Sequence, residues 1–88
     1  MLLVVDFSIF KLAYSQTDIR LNARDDLIVG KLLEEVLFGI EKICETTIQD
    51  KQLLYFRLNN MQGKVLNNLT KVSELEFDDW EKLFIERG

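Results

Sequence analysis

Apolar residues at helical spacing mark the middle of the chain. They recur every three or four positions, at Val29, Leu33, Val36, Ile40 and Ile43. This spacing places them on one face of a helix, because an α-helix turns once in about 3.6 residues. Asn22 is a favourable N-cap. We predict an amphipathic helix from Ala23 to about Glu45.

A second apolar stripe follows Asp50, which is the next favourable N-cap. Its members are again three or four residues apart: Leu54, Leu58, Met61, Val65, Leu69 and Val72. The pattern predicts a second helix from about Lys51 to Lys71. Two helices of similar length with a short connection favour an antiparallel hairpin, packed stripe against stripe.

The C-terminal segment combines a capping pattern with aromatic residues. Asp78 and Glu81 have the spacing of a capping box, and so do Ser73 and Glu76. The apolar residues that follow share one helical face: Phe77, Trp80, Leu83 and Phe84. We predict a short C-terminal helix that either completes the core or docks on a partner. The fold class predicted overall is mainly α, a helical bundle formed by residues 1–88 as a single domain.

The N-terminal segment MLLVVDFSIFKLAYS allows two structures. A helix over residues 2–15 would place Asp6 in the middle of an apolar face, where an unpaired carboxylate is costly. A strand over residues 2–5, followed by a helix from Phe7 to Tyr14, would instead put Asp6 at the end of the strand, as a cap or a site residue. This second option makes an α+β fold the alternative.

Composition narrows the classes of function. The chain has 88 residues, a net charge of −4, no histidine, no proline and one cysteine, Cys44. We therefore expect no disulfide, no cofactor, no metal site and no catalytic residue, and we expect a cytoplasmic protein. Asp6 interrupts the apolar opening, so we expect neither a signal peptide nor a membrane span. The dispersed basic residues argue against nucleic-acid binding.

The stretch LLVVDFS resembles the opening of the flap-endonuclease and PIN-type nucleases. In that family an apolar strand ends in an aspartate that binds a divalent metal, and a serine or asparagine often follows two residues later. Asp6 and Ser8 match this short pattern, and the resemblance covers the first fifteen to forty residues. The chain departs from the family because no second apolar strand ends in an acid. A metal-dependent nuclease that uses Asp6 is therefore an alternative function.

The stretch QLLYF, from Gln52 to Phe56, resembles the peptide by which many bacterial proteins bind the replicative sliding clamp. Tyr55 stands where that peptide favours leucine. The resemblance implies a sliding-clamp-binding protein as a further alternative.

Apolar side chains outside the two stripes are the candidates for partner binding. Leu27 and Phe38 fall on the charged face of the first predicted helix, where they need a cover. The complete predicted set is Leu27, Phe38, Leu53, Phe56, Trp80 and Phe84. We therefore predict a small acidic protein-binding adaptor, regulator or inhibitor that acts through helix-face contacts. A second copy of the chain is one candidate partner, in a homodimer, and the small size suggests a viral or plasmid origin.

Overall fold

A computed structural model describes residues 1–13, 15–59 and 63–88. In these ranges it contains one α-helix and one four-stranded sheet. The elements in chain order are β1 (Leu2–Asp6), β2 (Asp18–Asn22), α1 (Val29–Cys44), β3 (Leu54–Leu58) and β4 (Glu81–Arg87). The fold class is α+β.

The first and last strands occupy the centre of the sheet, whose order is β2-β1-β4-β3. β1 pairs antiparallel with β2 and parallel with β4, and β4 pairs antiparallel with β3. β2 and β3 are therefore the two edges. The helix α1 packs across the inner face of the sheet. Ile19 and Leu21 of β2 therefore lie beside Leu32 and Val36 of α1.

One layer of helix on one face of the sheet forms the core. Strand residues alternate between the faces, so Leu3, Val5, Leu83 and Phe56 point inward and are 0% exposed. The helix contributes one apolar stripe to the same core: Val29, Leu32, Leu33, Val36, Leu37 and Ile40. The opposite, outer face of the sheet combines charged side chains with apolar ones, among them Val4 and Phe84.

The start of α1 lies close against the turn at residues 67–70. The amide of Gly30 donates to the carbonyl of Asn68 at 2.9 Å, and that of Val29 donates to the carbonyl of Thr70 at 2.8 Å. A Cβ atom at Gly30 would lie 3.1 Å from the Cβ of Asn68, so glycine permits this approach. The turn is thereby fixed beside the first turn of the helix.

The predicted helical bundle and its antiparallel hairpin are wrong, because the second predicted helix does not form. Residues 51–53 form a 3-10 turn, and Leu54–Leu58 is strand β3, with Leu54, Phe56 and Leu58 all buried. The part of that prediction that covers residues 60–62 lies outside the described residues. A strand also places residues i and i+4 on one face, so Leu54 and Leu58 fit either structure.

The predicted C-terminal helix is also wrong. Val72–Glu74 is a 3-10 turn and Glu81–Arg87 is strand β4. The alternation of buried Leu83 and Ile85 has the period of a strand. The Asp78 and Glu81 pattern belongs to a turn, in which the Glu81 amide donates to the carbonyl of Asp78 at 3.2 Å.

The remaining two predictions need smaller corrections. α1 starts at Val29 and not at Ala23, because Asn22 is the last residue of β2 and the chain turns before Ile28. At the N-terminus the strand alternative is the one observed, and a 3-10 turn at Ser8–Phe10 follows it. Tyr14, the end of the helix predicted there, lies outside the described residues.

In the described ranges, no helix combines the length and the apolar character that a bilayer crossing requires.

Candidate functional site

The hydrogen-bonding direction along β2 follows from two bonds at its ends. The amide of Phe7 donates to the carbonyl of Thr17 at 2.8 Å, and that of Ala23 donates to the carbonyl of Met1 at 2.7 Å. Successive peptide groups of a strand point to opposite sides, so the odd-numbered residues of β2 bond to β1. The backbone N–H and C=O groups of the even-numbered residues point away from β1, toward the free side of the strand.

The outward-pointing backbone groups of β2 therefore belong to Asp18, Arg20 and Asn22. No backbone hydrogen bond from another described segment reaches them. An unpaired row of N–H and C=O groups is a template for one more strand. Arg20 lies at the centre of this edge and is exposed.

The other edge of the sheet is partly covered. The amide of Leu58 in β3 donates to the carbonyl of Lys64 at 2.9 Å, and the amide of Leu66 donates to the carbonyl of Phe56 at 3.0 Å. Residues 64–66 thus occupy part of the position that an added strand would take. The edge of β2 is the more open of the two.

An apolar groove runs beside the open edge, between β2 and α1. We call it the β2 groove; it consists of two adjoining depressions that share Ile19, and its apolar lining is Phe7, Ile19, Leu21, Leu32, Val36, Ile40 and Ile43. Ile43 is 55% exposed, and the two β2 side chains are half-buried. Glu35 and Gly39 line the end of the groove near Leu21, and Cys44 lines the end near Ile43. The open edge and the groove thus form one continuous surface.

A second groove, the turn groove, lies on the other side of α1. It has a volume of about 680 Å³ and is bounded by α1, the start of β3 and the turn at residues 67–70. Three of its apolar side chains are exposed: Ile28, Phe38 and Leu69. Its charged side chains already have partners, since Lys31 contacts Glu34 at 3.2 Å and Lys51 contacts Glu41 at 2.7 Å.

Glu41 ties the end of α1 to the segment that follows it. One carboxylate oxygen accepts a bond from Lys51 at 2.7 Å, and the other accepts the backbone amide of Ile48 at 2.9 Å. The hydrogen bond from Lys51, and then that from Ile48, lower the pKa of Glu41 below its ordinary value. Glu41 is therefore a structural residue.

The outer face of the sheet centres on Phe84. The guanidinium of Arg57 lies 4.8 Å and the ammonium of Lys82 lies 5.2 Å from the centre of its ring. Both cations also have acidic partners, Glu86 at 2.8 Å from Arg57 and Asp6 at 3.6 Å from Lys82. This face is a network of internally paired groups.

Trp80 lies at the edge of the same face in a backbone conformation that favours glycine, with φ of 61°. Its amide donates to the carbonyl of Leu2 at 3.0 Å, and Arg20 lies 5.5 Å from its ring centre. The side chain is 46% exposed. Trp80 thus holds Arg20 by a cation–π contact.

Asp6, the candidate metal ligand of the nuclease-like pattern, is 9% exposed at the end of β1. Its Oδ1 accepts bonds from the amide of Ser8 at 2.9 Å and from the Ser8 hydroxyl at 2.6 Å. These bonds, with Lys82 nearby, satisfy the carboxylate where β1 leads into the turn. In the described ranges, no three histidine, cysteine or acidic side chains cluster closely enough to hold a metal ion together.

The six residues predicted to bind a partner do not form one surface. Phe38 is 60% exposed and lines the turn groove, while Leu53 precedes β3 and is also exposed. Trp80 and Phe84 lie on the outer face of the sheet. Leu27 is half-buried against the core. The helix-face grouping on which the prediction rested is thus absent.

Phe56, the sixth residue, is fully buried in the core. Leu54 is buried beside it, so two residues of the clamp-like stretch from Gln52 to Phe56 point into the domain. In this fold Phe56 has no surface with which to contact a partner.

The sequence reasoning missed β2, although a signal for it exists. In Asp18–Asn22 the apolar residues Ile19 and Leu21 alternate with polar ones, the pattern of a half-buried strand. Nothing in the sequence identifies this strand as an edge, because strand order depends on contacts between distant segments.

No protein-family model matches the chain, and no curated protein does. Solved structures show its fold. One, described as molecular mimicry of SUMO that promotes DNA repair, has a TM-score of 0.61 at 15% identity, and the match covers 98% of this chain and 89% of that one. Another, from the MycP5-free ESX-5 inner membrane complex in its state II, has a TM-score of 0.57 at 16% identity. That match covers all of this chain and 21% of the other, so the chain spans about a fifth of its length.

Proposed function

We propose that this chain is a protein-binding domain that receives an extended segment of a partner protein on the open edge of β2. The observation that carries the proposal is the row of unpaired backbone groups centred on Arg20, directly beside the apolar β2 groove. Main-chain bonds to an edge supply affinity in strand addition, and side-chain pockets supply specificity. This surface offers both.

Such a domain acts as a small adaptor, regulator or inhibitor, and it needs neither a cofactor nor a catalytic residue. A cytoplasmic location is part of the proposal, and the single unpaired Cys44 supports it.

The geometry of β2 determines how a bound segment would be arranged. Its residue opposite Arg20 would lie on the outer face of the sheet, because side chains at opposed positions share a face. The residues on either side of it would project over Ile19 and Leu21 into the β2 groove. The segment should therefore have aliphatic residues two positions apart, separated by a polar one.

A blocked peptide of sequence Gln-Thr-Val-Thr-Ile-Thr-Gln, the neutral peptide, tests this arrangement. Titrated to millimolar concentration, it should shift the backbone amide NMR signals of β2 and of the facing side of α1. In Arg20→Pro the outward N–H is lost, while the bonds of β2 to β1 remain. This variant should lose binding, and Arg20→Ala, which keeps the N–H, should retain it within about threefold.

Reaction of Cys44 with a thiol reagent provides a second readout, because Cys44 lines the β2 groove. The neutral peptide should slow alkylation in the parent and in Arg20→Ala, but not in Arg20→Pro. Shifts confined to the turn groove, or equal binding by both variants, would overturn the proposal. So would sedimentation showing that a second copy of the chain already occupies the edge at the concentrations used.

A further inference from the structure

The β2 groove is mainly apolar, with Gln16 and Arg20 at the end near Ile43 and a carboxylate at the end near Leu21. Glu35 lines it together with Leu21, Leu32 and Val36, and its side chain is exposed. In the described part of the chain, no cation lies within 4 Å of the Glu35 carboxylate, although the pKa of Arg24, raised mainly by its hydrogen bond to Asp26, is also raised by the nearby charge of Glu35. Arg24 is bonded to Asp26 at 2.7 Å, and Lys31 to Glu34 at 3.2 Å.

We propose that the partner segment carries a lysine or arginine opposite Leu21, whose cation pairs with Glu35 while its aliphatic stem lies along the groove. This inference rests on the proposed strand addition, and it identifies the partner as a basic, extended segment. Long basic side chains bury their methylene groups on apolar surfaces and keep the charge in water. The end of the groove near Leu21 offers both environments: Leu32 and Val36 form an apolar surface for the stem, and Glu35 lies at the exposed end for the cation.

The helix surface leaves room for such a side chain. Gly39 lies one turn after Glu35 in the same groove, and a Cβ atom built there would meet no atom within 4 Å. A stem crossing Leu32 and Val36 can therefore approach the helix backbone closely. The residue two positions along the segment would face Ile19 and the apolar side chains of Ile40 and Ile43, where an aliphatic side chain fits and a charge would be desolvated.

The charge of the whole domain favours the same partner. Its net charge of −4 attracts a cationic segment over distances longer than any single contact, and repels an acidic one. This long-range effect alone does not place the charge. The position of Glu35 determines which residue of the bound segment should be basic, and this local effect can be separated from that of net charge.

The test compares three blocked peptides by NMR titration at low salt. The neutral peptide is Gln-Thr-Val-Thr-Ile-Thr-Gln, and the basic and acidic peptides replace its valine by arginine and by glutamate. In the parent the basic peptide should bind about tenfold more tightly than the acidic one. The ratio should fall to about twofold in Glu35→Gln and reverse in Glu35→Lys.

Glu34→Gln is the control for net charge, because Glu34 is adjacent in sequence, is paired with Lys31 and does not line the β2 groove, although both carboxylates border a shallow depression beside Phe38. It should leave the ratio within about twofold of the parent value. Equal loss of the ratio in Glu34→Gln and Glu35→Gln would mean that only net charge is sensed, and would overturn the inference. Equal binding of basic and acidic peptides to the parent would overturn it as well. If none of the three peptides shifts the β2 signals, the proposed strand addition itself is refuted.

Discussion

Phe56 and Phe38 provide a direct test of the fold, because both were predicted to bind a partner and the structure separates them. Phe56 is 0% exposed in β3, whereas Phe38 is 60% exposed on α1. Replacing a fully buried phenylalanine by alanine removes its transfer free energy and leaves a cavity, at a cost of about 3 to 5 kcal/mol. Only about two fifths of the Phe38 side chain is buried, so replacing it by alanine should cost less than about 1 kcal/mol of unfolding free energy.

The assay is urea and thermal unfolding, followed by circular dichroism and by the fluorescence of the single tryptophan, Trp80. For a domain of this size about 1 kcal/mol shifts the melting temperature by about 4 to 8 °C. Phe56→Ala should therefore melt more than about 12 °C below the parent. Phe38→Ala should melt within about 6 °C of it at concentrations where the parent is monomeric. Similar losses in the two variants would refute the placement of these side chains.

Three further predictions concern α1. Glu45 ends the helix with φ of 50°, so Glu45→Gly should stabilise the domain by up to about 1 kcal/mol in urea unfolding, whereas Glu45→Ala should not. Because the pKa of Glu41 is lowered by folding, its contribution is present at neutral pH and is lost as the pH falls below its ordinary value of 4.5. Glu41→Gln should destabilise the domain at pH 7 and flatten the acid limb of the stability profile; an unchanged profile would contradict this. Val36→Asp should cost several kcal/mol, because Val36 is 4% exposed against the sheet, and a variant that melts like the parent would place Val36 elsewhere.

The sequence predicted the helix that forms α1, and it offered a strand as one of two alternatives at the N-terminus, because both depend on local patterns. The stripe at Val29, Leu33, Val36 and Ile40 is buried as the helical spacing requires. The start of α1 was misplaced because Asn22 is an equally good cap in isolation, and only the pairing of β2 with β1 removes it from the helix.

β3 and β4 were missed because their patterns are ambiguous at short range. In β3 the spacing of four between Leu54 and Leu58 suits both a helix and a strand, and the buried Phe56 between them decides for the strand. In β4 the alternation of Leu83 and Ile85 spans only a few residues. Long-range pairing with β1 settles both assignments, and no local pattern encodes it.

The open edge of β2 could not be predicted for the same reason. Its alternation is visible in the sequence, but its place at the border of the sheet follows from the order of strands distant in the chain. Glu35 is one of several acids on α1, and only the fold places it beside Leu21 in the β2 groove, which Glu34 does not line.

Amide hydrogen exchange along β2, with and without a saturating concentration of the basic peptide, tests the central claim most directly. In the unbound domain the amide of Leu21 should exchange slowly, because it bonds to β1, while those of Arg20 and Asn22 should exchange quickly at the open edge. Bound peptide should slow the exchange of Arg20 or its outward-pointing neighbours and leave that of Leu21 nearly unchanged. Binding that leaves the exchange of all the outward-pointing amides of β2 unchanged would contradict strand addition at this edge.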